Sequence, residues 1–80
     1  MKTADGFDDA IVGVVRQCGL PDKVLYEYNH CIKILVERDL MPIDEAIEYM
    51  EFNVLGAYVG EDTPAFLVPY YQGENQDETA

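Results

Sequence analysis

The sequence predicts a small α+β domain in which helices pack on a short two-stranded sheet, in the order helix, strand, helix, helix, strand. Three observations support this. Apolar residues recur at helical spacing in three segments, and two short runs rich in β-branched and aromatic residues read as strands. Glycine, proline and acidic turn residues punctuate the joins. With 49% hydrophobic residues among 80, the chain has the composition of one folded domain and is too short for two. The domain is expected to span residues 1–71, followed by a disordered tail at 72–80 that has no apolar anchor before Ala80.

The first segment places Phe7, Ala10, Ile11, Val14, Val15 and Cys18 at i, i+3, i+4, i+7, i+8 and i+11, which predicts a helix over about residues 6–18. Asp5 suits its N-cap, and Asp8 and Asp9 suit the positive end of its dipole. Gly19 and Pro21 supply the stop. Val24, Tyr26 and Tyr28 then alternate on one side of a short strand, with a longer helix starting at Pro21 as the competing reading. Asn29 is a good cap for a separate helix carrying Cys31, Ile32, Leu35 and Val36 and ending near Asp39. After Met41-Pro42, helical periodicity resumes over Ile43–Val54, with Ile43, Ala46, Ile47, Met50, Val54 and Ala57 on one arc as the expected core face. The turn Gly60–Pro64 leads into a second strand, Ala65–Val68. Two strands alone leave open edges that favour pairing with a second copy, so a homodimer is an expectation of this arrangement.

Charge is unevenly distributed. Sixteen acids against five bases give a formal net charge of −11. All five bases lie in residues 1–40 with seven acids, whereas residues 41–80 hold nine acids and no base. Removing Glu74, Asp77 and Glu78 of the tail still leaves the second half at −6. Such a balance opposes direct binding to nucleic acid or to anionic membrane and favours a basic surface on another protein. The N-terminus has neither the basic flank nor the apolar run of a signal peptide, and no stretch approaches the ~18–20 apolar residues of a membrane span, so the expected location is cytoplasmic.

The inventory for catalysis is thin, with one histidine, two cysteines and no serine. His30 and Cys31 are neighbours in sequence and point about 100° apart on a helix, which does not make a nucleophile and base pair. Cys18 and Cys31 read as reduced thiols on buried helix faces. With one histidine they lack the four ligands of a zinc site. Gly56–Gly60 has neither the lysine of a P-loop nor a three-glycine dinucleotide pattern, and Glu61-Asp62-Thr63 lacks the ligand spacing of an EF-hand. The expectation is a non-enzyme without cofactor or metal.

The third helix holds the candidate site. Asp44, Glu48 and Glu51 stand at i, i+4 and i+7, a stripe whose members are separated by about 4.5 to 6 Å along the axis. Glu45 lies to one side, and Glu61 and Asp62 follow in the next turn. No lysine or arginine is interleaved, so the face forgoes the i, i+4 ion pairs of ordinary solvated helices and can imitate a row of phosphates. Tyr49, Phe52 and Tyr58 flank the acids, a composition found at protein interfaces. The competing reading is a solvated face whose first-turn acids only complement the dipole.

The block from Asp44 to Pro64, DEAIEYMEFNVLGAYVGEDTP, resembles a stretch found in short acidic proteins of bacteriophage genomes. No activity attaches to that group, and no functional residue carries over from it. The resemblance implies an inhibitor of host defence machinery, of the anti-CRISPR kind among others, acting in the host cytoplasm by filling a nucleic-acid site. The alternative expectation is a homo-oligomeric accessory or structural phage protein.

Overall fold

The computed structural model describes residues 1–57 and 60–70. The tail expected at 72–80, and Tyr58 of the aromatic flank, lie outside the described residues. Three strands form one mixed sheet in the order β1 (Ile11–Val15), β2 (Lys23–Glu27), β3 (Ala65–Leu67). β1 runs antiparallel to β2, and β3 runs parallel to β2. The crossover between the parallel strands is helical, as such connections require. It comprises α1 (Tyr28–Arg38), α2 (Ile43–Tyr49), a π-helical turn (Met50–Val54) and a 3₁₀ turn (Leu55–Ala57). The fold is α+β, as predicted.

The N-terminal element differs from the expected helix. Only Asp8–Ala10 forms a 3₁₀ turn, and the chain then enters β1, which makes the sheet three-stranded rather than two-stranded. Four of the five residues in Ile11–Val15 are β-branched and the fifth is Gly13. Branched side chains lose rotamer freedom in a helix, and glycine costs about 1 kcal/mol there relative to alanine. The helical spacing has another origin. Ile11 pairs with Tyr26 and Val14 with Val24, with a register irregularity between Ile11 and Gly13. The extra residue of this bulge brings Ile11 and Val14, three apart, to the same sheet face and so imitates i, i+3. Gly19, at φ +82°, and Pro21 belong to the hairpin loop, which a 2.8 Å Arg16–Asp22 ion pair closes. Cys18, expected in the core, is exposed in that loop, whereas Cys31 is buried.

The core is built around β2. Tyr26 is fully buried, its ring stacks on Phe66 of β3 at a centroid distance of 5.4 Å, and its hydroxyl accepts the Ala4 N–H at 2.7 Å. That bond ties the N-terminal segment to the sheet and satisfies a buried donor. α1 begins at Tyr28 rather than after an Asn29 cap, and it buries Tyr28, Cys31, Ile32 and Leu35 at i, i+3, i+4 and i+7. It ends where Leu40 takes the left-handed conformation at φ +59°. The N–H groups of Asp39 and Met41 both reach the Leu35 carbonyl there, a Schellman-type closure in a place where glycine is usual. Arg38 braces this end by pairing with Asp39 and donating to the Gly6 carbonyl at 2.6 Å.

The core face of α2 also departs from expectation. Ala46, Met50 and Val54, four residues apart, are buried, while Ile43, Ile47 and Ala57 are exposed. Four-residue steps drift by about 40° along an α-helix. The π turn, in which the Leu55 N–H reaches back five residues to the Met50 carbonyl, widens the helix and returns Val54 to line. The buried stripe therefore centres on Ala46 and Met50. Ile43 lies in the turn before it and Ile47 on its flank.

Candidate functional site

The outward face of α2 and its π turn gathers part of the predicted site. Glu45, Glu48, Tyr49 and Phe52, with Met41 and Asn53, line one shallow concavity of about 410 Å³. Phe52 is 73% exposed and Tyr49 38%. An aromatic ring left in water beside carboxylates is costly unless something covers it, since each apolar Å² in water costs about 25 cal/mol.

The other predicted residues are placed differently. Asp44 sits in the first turn, and its carboxylate accepts the Glu45 N–H at 3.0 Å, satisfying one of the free donors at that helix end. Glu51 is drawn toward α1, where its Oε2 accepts the Tyr28 hydroxyl at 2.7 Å. Burial, followed by this bond to a carboxylate, pushes the Tyr28 hydroxyl up to about 12. Glu51 thus ties the end of α2 to the start of α1. Asp62 is held to the N-terminal segment, its carboxylate 3.8 Å from the Lys2 ammonium and its carbonyl accepting the Lys2 N–H. Glu61, in the same turn, is exposed. The stripe of Asp44, Glu48 and Glu51 therefore divides into two members with structural contacts and one, Glu48, that faces the concavity.

Neutralisation decides how strong the field at this face is. Among the described residues there are three ion pairs, Lys2–Asp62, Arg16–Asp22 and Arg38–Asp39. None includes Asp44, Glu45, Glu48 or Glu51. Arg16 and Arg38 hold the Asp22 and Asp39 carboxyls below the usual range through direct hydrogen bonds. Three of the five bases are thus paired with acids outside α2, and no ion pair among the described residues neutralises the α2 carboxylates.

Two contributors were not marked by the spacing. Met41 and Asn53 line the concavity, and Leu40, 82% exposed, projects from the turn that leads into α2. The available signal is the pair Leu40-Met41 in the short connection before Pro42, of which Leu40 is left in solvent while Met41 packs partly against the core and partly lines the concavity.

A larger cleft, of about 520 Å³, lies where the N-terminal segment crosses α1, with Asp8, Asp9 and Glu37 opposing His30, Lys33 and Arg38. Its charges are of both signs, and Arg38 is already engaged by Asp39 and Gly6. Cys31, beside His30 in sequence, is buried in the core, and burial pushes its thiol up to about 11, the reverse of an activated nucleophile. No group of three or more metal-ligating side chains occurs among the described residues, and no helix there is long and apolar enough to cross a membrane.

No family model, curated protein or solved structure matches the chain. Its function is accordingly read from its own surface.

Proposed function

We propose that the protein is an acidic binding module that occupies a basic surface of another protein, with Glu45 and Glu48 as the charged contacts and Tyr49 and Phe52 as the apolar anchors. One observation carries this. The α2 acids enter no ion pair among the described residues, while exposed aromatic rings share their concavity. Charge of one sign steers a basic partner and sets its on-rate, and desolvated aromatic rings supply most of the energy that holds it. The partner chemistry that fits best is a nucleic-acid-binding site, because carboxylates at helical spacing can stand in for phosphates. The protein would then act as an inhibitor in the cytoplasm, that of a host cell if it is phage-encoded, without catalysis or cofactor.

Immobilised protein challenged with a lysate is expected to retain basic proteins that duplex DNA displaces and that rising salt elutes. The double variant E45K/E48K is expected to lose at least about tenfold in affinity, as two close charge contacts would. The variant D5K/E61K changes net charge equally and is expected to lose far less. Equal losses in the two variants would reduce the effect to bulk charge and remove the site.

A second reading has its own observation. β1 is an edge strand, and Ile11, Val12 and Val14 are 41%, 54% and 51% exposed, so a second copy could extend the sheet there. Light scattering on the purified protein tests this, with V12K/V14K expected to return a dimer to a monomer.

A further inference from the structure

α1 and α2 leave an apolar groove between them. It has a volume of about 390 Å³, and its apolar walls are Ile32 and Val36 of α1 and Ile43 and Ile47 of α2. The two α2 isoleucines are 65% and 43% exposed and lie one turn apart, beside the buried row of Ala46, Met50 and Val54. The short connection Asp39–Pro42 folds α2 back along α1, and the Tyr28–Glu51 hydrogen bond joins the far ends of the two helices. The groove is therefore a trough along two helices, tied at one end.

The two rims of this trough differ in charge. Asp44 and Glu48 each follow one of the isoleucines in sequence, so helical geometry sets them about 100° further round, on the solvent side of the Ile43–Ile47 row. That rim is acidic along its length and enters no ion pair among the described residues. The α1 rim carries Lys33 and Glu37, one turn apart and of opposite sign. An apolar floor with one acidic rim and one mixed rim is complementary to an amphipathic helix that bears lysine or arginine along one flank only. A second copy of this chain lacks that complement, because neither α1 nor α2 presents a basic row.

We infer that the α1–α2 groove docks an amphipathic helix of a partner protein, with the apolar face of that helix on Ile32, Val36, Ile43 and Ile47 and its basic flank along Asp44 and Glu48. This deepens the proposed function and rests on it. It assigns the basic partner a helical element and gives the exposed isoleucines of α2 a role. Recognition is of the helix-in-groove type, in which anchors at i, i+3 or i+4 and i+7 fill the trough and the flanking charges fix the direction of the helix.

The probes are three designed peptides of equal length and composition class. One is an amphipathic helix with leucine at i, i+3, i+4 and i+7 and lysine on one flank. The second is a scrambled sequence with the same lysines and leucines, and the third carries glutamate in place of lysine. By fluorescence anisotropy, the amphipathic peptide is expected to bind about tenfold tighter than the scrambled one, the factor that covering two half-exposed isoleucines would supply. I43S/I47S is expected to erase that difference and to leave binding of the scrambled peptide unchanged. Equal binding of the two lysine peptides, or indifference to I43S/I47S, overturns the groove assignment while leaving the acidic face intact. If neither lysine peptide binds better than the glutamate peptide, the acidic-face reading itself falls. A dimer in sedimentation that I43S/I47S dissolves would make the groove a self-contact and would also overturn the assignment.

Discussion

α1 and α2 are consecutive helices with similar apolar periodicity, yet the fold uses them differently. α1 turns Tyr28, Cys31, Ile32 and Leu35 inward and buries all four. α2 buries only Ala46 before its π turn and leaves Ile43, Ile47, Tyr49 and, just beyond, Phe52 in solvent. Burying a large apolar side chain stabilises by about 1.5–3 kcal/mol, so α1 spends its hydrophobic residues on the fold and α2 holds much of its own in reserve. On the proposed function, stability and binding are partly divided between neighbouring helices.

Truncation of equivalent side chains breaks this comparison most forcefully. Leu35, 1% exposed, is expected to cost about 2–5 kcal/mol as L35A, whereas I43A on α2 is expected to stay within about 0.5 kcal/mol. Chemical denaturation monitored by circular dichroism checks both, and a comparable loss in I43A would mean that α2 is a core helix after all. Next in size is Y26F, which leaves the Ala4 N–H without its buried acceptor and should cost about 1–3 kcal/mol with little change in packing.

Titration sharpens the comparison on the α1 side. The Tyr28 hydroxyl and the Cys31 thiol are both raised in the fold, from 10.0 to about 12 and from 9.0 to about 11. In each case the folded state favours the neutral form. The contribution to stability is complete below the unfolded value and is lost as pH rises through the folded one. The thermal midpoint should therefore fall progressively between about pH 9 and 12, and it should fall less in Y28F/C31A. A midpoint flat across that range would contradict the burial of these groups. In the native protein a thiol reagent should modify Cys18 and spare Cys31.

The smallest effect has the opposite sign. Leu40 holds a left-handed backbone with its side chain 82% exposed, so L40G removes strain without removing packing. It is expected to stabilise by roughly 0.5–1 kcal/mol, the entropy of the unfolded glycine offsetting part of the gain. If L40G also weakens partner capture, Leu40 belongs to the binding surface along with Met41.

What the sequence made legible follows from which signals are local. α1 and β2 could be read because their apolar periods of 3.6 and 2 match the elements that form, and β3 because a short continuous apolar run follows a conventional turn. β1 could not, because a bulge at Val12 gives a strand the spacing of a helix, and only its dense β-branching and Gly13 argued otherwise. Periodicity placed Ile43 and Ile47 in the core because it records hydrophobicity and not what lies opposite. Glu51 was legible as part of a stripe, but its tie to Tyr28 spans 23 positions, a distance no local pattern encodes. Glu48 was read from helical spacing, and Glu45, Tyr49 and Phe52 from their places beside that stripe; the fold sets all four around one concavity.

The central claim, that the α2 face is a directed site for a basic partner, is tested most directly by a nuclear magnetic resonance titration of the labelled protein with a lysine decamer at low and high salt. The account predicts that amide shifts concentrate at Glu45, Glu48, Tyr49 and Phe52, shrink as salt rises, and vanish from that face in E45K/E48K. Shifts spread evenly over Asp5, Asp8, Asp9, Glu61 and α2 would show a diffuse acidic surface without a site and would contradict it.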